Sequence, residues 1–320
     1  MLLKYLVEKA LELKPGVFFL IDSRCEDVFT FIPEAQKLVM SAAISPRKAF
    51  YTANKDKFSG VFCFGNIPPP CRLKVPVYTY LHNLLLLATP DGYPFYQKVS
   101  KFLKSVFIRL MLKNTDGIFV QSENMAQMLM RSWGYPKGKI QIFPFYDVRR
   151  FVPLKALKKK PQDYLFISDG NAHKNHINLL KAWELVNKHQ PDWRLHLTVT
   201  GRNPALVSLI ENYRSSGVNV VNHGFADPVD VYSECQYLIY PSLTESFGLG
   251  LIEGATAGLQ IICADLPYAH SVVKPSAVFD PFRPESMAAA ILSNRMEMPG
   301  FEPTMLKAKD MVTEMLSVWD

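Results

Sequence analysis

The sequence predicts an α/β protein of two domains, each a parallel sheet covered by helices. Three observations predict it. The chain has 320 residues, enough for two domains of ordinary size. It is 48% hydrophobic and 20% charged, as globular proteins are and disordered ones are not. Short apolar runs alternate with amphipathic stretches along its length, the pattern of parallel strands joined by crossover helices.

In the first half, Leu2, Leu3, Leu6, Val7, Ala10 and Leu11 have helical spacing. Lys4, Glu8, Lys9 and Glu12 interrupt them, so no continuous apolar core of a secretory signal is expected here. Val17–Ile21 reads as a strand and Ile32–Ala43 as a helix, followed by strands at Ser59–Phe64 and Val75–Leu81. Phe95–Lys113 is a long helix, Gly117–Gln121 a strand, Asn124–Trp133 a helix and Ile140–Phe145 a last strand. Residues 1–148 therefore form the first domain. A linker over 149–162 is expected from Arg149, Arg150, Pro153, the lysine run at 158–160 and Pro161.

The second domain, 163–300, alternates more cleanly. Strands are expected at Tyr164–Ser168, Leu195–Thr200, Val218–Val221, Tyr237–Tyr240, Gln260–Ala264 and Ala277–Phe279. Helices are expected at Asn175–Lys188, Pro204–Ser215, Pro228–Cys235, Leu251–Gly258 and Pro284–Ser293. Residues 301–320 read as a terminal helix packing back towards the first domain.

The net charge of +7 is uneven. Residues 1–150 hold 21 Lys plus Arg against 11 Asp plus Glu, while residues 151–320 carry a net −3. The first half is thus suited to an anionic partner or surface. Nucleic acid is not the expected partner, because neither zinc spacing nor a basic-aromatic recognition motif is present. Five scattered cysteines, at 25, 63, 71, 235 and 263, point to a reducing cytosol over a disulfide framework. The longest apolar run, Val75–Ala88, contains His82 and Asn83 and is too short to span a bilayer.

In helix Phe95–Lys113, Val99, Leu103, Val106, Phe107 and Leu110 share one face and are expected to pack on the sheet. Phe102, Ile108 and Leu112 would then lie among Lys98, Lys101, Lys104, Arg109 and Lys113 on the outer half. Interleaving of that kind suits either the interface of an anionic membrane or contact with another helix or subunit.

The stretch that carries chemistry is Tyr240–Asp265, YPSLTESFGLGLIEGATAGLQIICAD. Pro241 ends a buried strand. A loop follows, in which Gly248 and Gly250 allow a backbone to approach a ligand closely. A helix then starts and stops near Gly258. Free N–H groups and the helix dipole at such a start favour a phosphate. Glu245 and Glu253 bracket the site and suit hydroxyls, so a phosphate flanked by hydroxyl-bearing rings would satisfy the whole stretch. An ordinary β-α-β unit with a glycine-rich turn is the plainer reading of the same residues. A nicotinamide dehydrogenase is disfavoured, since no strand is followed by G-x-G-x-x-G.

PSLTESFGLGLIEGATAG, with Glu245 and Glu253 separated by seven residues, resembles the signature of the group 1 family of retaining glycosyltransferases. That resemblance implies the GT-B fold, two Rossmann-like domains whose parallel sheets face a central cleft. It implies transfer of a sugar from a nucleotide-diphosphate donor, UDP- or GDP-linked, to a saccharide acceptor with retention. Relatives of this kind serve bacterial polysaccharide, lipopolysaccharide and O-antigen assembly, often on a lipid-diphosphate-linked saccharide. The expected location is the cytoplasm, or the periphery of the inner face of the plasma membrane.

By the same resemblance, SDGNAHKNHINLLKAWELV (168–186) carries a phosphate-binding lysine, Lys174; Asp169–Gly170 stand where many relatives carry a second cation, which is either missing here or comes from elsewhere, with Arg202 after the next strand as the candidate substitute. Phe247, Gly248, Leu249 and Glu253 would bind the donor, with Glu253 on the ribose. Gly224 and Phe225 would lie by the base. Glu245 and His82, the latter at a strand end, would act at the donor sugar. No metal and no cofactor are expected, the nucleotide sugar being a substrate. The glycine-rich loop that many relatives carry after their first strand is replaced by Asp22–Ser23–Arg24–Cys25. A non-catalytic nucleotide-sugar-binding or scaffold protein on a degenerate fold is the alternative.

Overall fold

The computed structural model describes residues 2–88, 93–144, 146–147 and 149–293, with 313, 316 and 317. They fall in two compact units. One holds Met1–Thr89, Pro94–Asp147 and Leu306–Asp320, the other Val148–Met305 with Pro90–Tyr93.

The amino unit opens with α1 (Leu2–Leu13), β1 (Phe19–Asp22), β2 (Lys37–Met40) and α2 (Ile44–Ala53). β1 and β2 pair in parallel, with Phe19 beside Lys37. Here the expected helix over Ile32–Ala43 is corrected. Pro33 fixes an extended backbone (φ −55°, ψ 140°), and the Lys37–Met40 run joins a sheet, so the helix begins only at Ile44. The Gln36 side-chain amide donates to the Pro15 carbonyl at 2.6 Å and ties this turn down.

Then come β3 (Val61–Phe64), β4 (Val77–Leu81), α3 (Phe95–Met111), β5 (Gly117–Val120), α4 (Glu123–Trp133) and β6 (Ile140–Ile142). β3, β4, β5 and β6 are neighbours in sequence order, all parallel. All four residues of β5 are buried, as a central strand covered on both faces requires. α4 starts where Ser122 Oγ accepts the Met125 N–H at 3.2 Å and stops at Gly134 in a left-handed conformation.

α3 lies the other way round from its expected packing. Val99, Leu103, Val106, Phe107 and Leu110 are exposed. Ile108 and Leu112, expected outside, are buried among Leu84, Leu86, Leu87 and Ile118. Ser105 Oγ, on the inner face, accepts the Trp133 indole N–H at 3.1 Å. The neighbouring α4 and the loop after β4 thus choose the face, and the wider apolar arc is left outside.

The carboxyl unit runs β7 (Lys160–Phe166), α5 (His176–His189), β8 (Arg194–Leu197), α6 (Pro204–Ser215), β9 (Val220–Asn222) and α7 (Pro228–Glu234). It continues with β10 (Cys235–Tyr240), α8 (Leu249–Thr256), β11 (Gln260–Ala264), α9 (Pro267–His270), β12 (Ala277–Phe279) and α10 (Pro284–Ser293). β7 starts inside the stretch expected as linker. Its first three residues are exposed and its last four buried. The sheet is wholly parallel in the order β9-β8-β7-β10-β11-β12. This is the doubly wound order, with its reversal between β7 and β10. Tyr164 of β7 and Tyr237 of β10 stack at 4.5 Å across that seam. α5 covers one face with Leu179, Leu180, Trp183 and Val186 fully buried. The helix expected near Pro303–Trp319 lies mostly outside the described residues; of these, Leu316 packs with Tyr5, Leu6 and Ala10 of the amino unit.

The close approach of α8 to the sheet rests on Gly254. A Cβ there would sit 2.6 Å from Leu238 Cδ2 and 3.4 Å from Ile261 Cδ1, both in the core. Gly254→Val should therefore lower stability by about 1–3 kcal/mol through overpacking. Thermal or denaturant melts would show it, and an unchanged midpoint would contradict the contact.

Candidate functional site

The reversal of strand order splays the loops after β7 and β10 apart and makes a crevice at the strand carboxyl ends. Three contacts bind these two loops to each other and to the loop after β12. Asn175 takes a left-handed conformation (φ 63°), which Asn tolerates better than most residues. Its side-chain amide donates to the carbonyls of Pro241, at 3.2 Å, and Pro281, at 2.7 Å. The Leu243 N–H donates to the His173 carbonyl at 2.8 Å.

The outcome is a charge pair between the loops. Lys174 Nζ lies 2.6 Å from Glu245 Oε1. The Tyr240 hydroxyl donates to the same oxygen at 3.1 Å. Both charged side chains are largely buried yet reach the surface, where a charge-assisted contact is stronger than in open water. Beside them, α8 begins at Gly248 (φ 86°), which brings no side-chain acceptor to the first-turn N–H groups. Those groups and the helix dipole favour negative charge at this end of α8. Phe247 is buried beneath it.

Glu253 lies one turn into α8. Burial pushes its carboxyl up to about 7, against the opposing effect of a hydrogen bond from Tyr232. The single Tyr232 hydroxyl proton is shared between Glu253 and the Gly250 carbonyl, 3.1 Å away, which fixes the first turn of α8. Tyr268 holds the loop from below, its hydroxyl donating to the Ser242 carbonyl at 2.6 Å.

The structure thus brings together Lys174, Glu245, Phe247, Gly248, Leu249 and Glu253 of the expected site. Arg202 lies beyond β8 and is exposed, as is Phe225, at 95%. Gly224 adopts a left-handed φ of 64° just past β9. β9 is two strands from β7, so Gly224 and Phe225 stand on the order of 10 Å along the same sheet edge. His82 belongs to the amino unit, just past β4. Asn66, itself left-handed, accepts the His82 and Asn83 N–H groups with its Oδ1 at 2.8 and 2.9 Å. His82 stacks on Phe64, and burial lowers its pKa, favouring a neutral ring.

Sequence reading missed Tyr240, Tyr232 and Asn175. Tyr240 is the last residue of a buried strand, where a hydroxyl at the strand end was the available signal. Asn175 carried none, because only the fold reveals its left-handed backbone. Tyr93 was also unforeseen; its hydroxyl is 2.7 Å from His173 Nδ1.

Residues 161–294 match the family model described as glycosyl transferases group 1. The chain is 24% identical over 269 residues to an O-antigen chain mannosyltransferase B of Escherichia coli, covering 78% of this chain and 69% of that protein. A glycosyltransferase structure from Rickettsia africae superposes with a TM-score of 0.73 at 15% identity, covering 99% of this chain and 93% of the other. The Anabaena HepE structure, in complex with UDP and glucose, gives 0.65 at 13% identity over 99% and 90%. These two likenesses show the GT-B fold.

The position of Glu253 has a measurable consequence. Its folded pKa lies above the ordinary carboxyl value, so the protonated form suits the fold, and stability falls as pH rises from about 4.5 to about 7. Glu253→Gln keeps the neutral shape. The stability difference between variant and wild type should grow by up to about 3 kcal/mol between pH 5 and pH 8. Parallel melts with the same offset at both pH values would contradict it.

Proposed function

We propose, from the premise that residues 161–294 are a group 1 glycosyltransferase domain, that the protein transfers a sugar from a nucleotide-diphosphate donor to a saccharide hydroxyl with retention. The observation that carries the reading is the Lys174–Glu245 pair, held 2.6 Å apart beside the start of α8 at the switch point of the sheet. A diphosphate seated on those first-turn N–H groups would share the Lys174 ammonium, and the sugar beyond it would meet Glu245. The similar HepE binds UDP and glucose, and the O-antigen relative is a mannosyltransferase. These support a nucleotide-linked donor and a role in bacterial polysaccharide assembly; in this reading the donor is UDP- or GDP-linked and the acceptor saccharide is lipid-linked.

The reaction in this reading proceeds by early departure of the diphosphate. Lys174 and the α8 terminus stabilise the charge that builds on the leaving oxygen, work done elsewhere by a divalent ion. Glu245, held in place by Lys174 and Tyr240, faces the electron-poor anomeric carbon and lowers the cost of its positive charge. The acceptor oxygen bonds to the anomeric carbon on the face that the diphosphate leaves and gives its proton to the leaving phosphate oxygen, so configuration is retained. Glu253 holds the ribose hydroxyls. Work on a lipid-linked acceptor would place the protein at the inner face of the plasma membrane; among the described residues no helix is long and apolar enough to cross it.

Lys174→Ala should weaken binding of the nucleoside diphosphate by roughly 1.5–3 kcal/mol and leave the free nucleoside almost unaffected. Calorimetry with both ligands decides this, and equal losses would remove Lys174 from the phosphates. In donor turnover, Glu245→Gln should lower kcat, whereas Glu253→Gln should mainly raise KM for donor. Interchanged signatures would reverse the two roles. A chelator should change neither rate.

A further inference from the structure

α3 leaves outside the part of its surface that ordinarily goes inside. At 100° per residue, the residues of α3 from Phe102 round to Phe107 span an arc of about 140° in which the Tyr96 hydroxyl is the one polar group. Phe95 is 82% exposed, Phe102 66%, Leu103 61% and Leu110 67%. Aromatic groups gather towards the start of the helix, with Tyr96 also exposed.

The borders of the arc are cationic. Lys98 and Arg109 fall on one side by the same geometry, and Lys104 on the other. Lys101 is on the packed side, where burial and the nearby Lys104 lower its pKa. From Phe95 to Lys113 there are five cations and no carboxylate. At the carboxyl end, Lys113 lines a cavity of about 310 Å³ with Arg72 and Lys139, and the one carboxylate there, Asp116, is paired with Arg72.

This combination selects among the surfaces that could cover the arc. Two copies meeting through it would bring cationic borders together without an acid on the helix to neutralise them. A neutral apolar partner would offer Lys104 and Arg109 no counter-charge. An anionic lipid surface fits both parts at once, taking the apolar arc among its acyl chains and the ammonium and guanidinium groups at its phosphates.

We infer that α3 is a membrane-docking helix, lying flat in the interface of an anionic bilayer with Phe95, Phe102, Leu103 and Leu110 inserted and Lys104 and Arg109 on lipid phosphates. The inference deepens the proposed function, since it rests on that reading for its purpose and names the surface that would bring a lipid-linked acceptor within reach.

It can be tested without acceptor, on the full chain, by sedimentation with phosphatidylglycerol vesicles and with phosphatidylcholine vesicles. The wild type should bind the first and not the second, and high salt should release it. Lys104→Gln with Arg109→Gln should weaken binding at least tenfold, given about 1 kcal/mol for each cation at the surface. Leu103→Asp with Leu110→Asp should do so too; both side chains are exposed, so melting temperature should hold. Each variant should keep nucleotide binding by calorimetry, and its loss from the wild type as well would count against the glycosyltransferase reading and not the docking face. Wild type that ignores phosphatidylglycerol vesicles at low salt, or variants that bind as it does, would overturn the inference. So would a dimer in analytical ultracentrifugation that Leu103→Asp with Leu110→Asp dissociates.

Discussion

The carboxyl unit depends on one topological constraint: after β9 the chain returns across the sheet and lays β10 on the far side of β7. Right-handed crossovers on either side of that seam put helices on opposite faces. The two loops at the seam are consequently left without a covering helix between them. A protein pays nothing in core packing for residues placed there, so polar groups can face each other at close range. Lys174 and Glu245 do so, and neither would meet the other in a sheet of plain sequential order.

What keeps that pair in place is mostly backbone. The Asn175 amide bridges to Pro241 and Pro281, Leu243 donates to His173, and Tyr268 reaches the Ser242 carbonyl. Glycine acts by absence, since Gly250 and Gly254 let α8 lie against Tyr240 and Leu238. The tyrosines of β10, α7 and α9 supply hydroxyls from a buried ring, which fixes their direction better than a flexible side chain would.

Much of this was legible beforehand. The apolar runs of the carboxyl unit stand out because strands covered on both faces must be apolar throughout, and the turn from Tyr240 to Gly258 carries its own punctuation. The amino unit was harder. Lys37–Met40 is too short to distinguish a strand from a helical turn by period, and Pro33 was the only local sign against a helix. The orientation of α3 was illegible for a different reason. Periodicity locates an apolar arc but does not say what covers it, and here Ile108 and Leu112 make the packed face while a wider arc faces out. In the site, charged residues were readable from type and spacing, whereas Asn175 and Tyr240 owe their importance to a dihedral angle and to a neighbour seen only in three dimensions.

The lysine at the seam is paired with Glu245. An arriving anion therefore meets a balanced pair and not a bare cation. Inorganic phosphate or sulfate offers the ammonium nothing that the carboxylate does not, and it is repelled by that carboxylate. A ligand that also presents hydroxyl donors to Glu245 satisfies both halves of the pair. On the proposed function, the internal counter-ion would work as a filter, rejecting the abundant small anions of a cell in favour of a phosphate that arrives with a sugar attached.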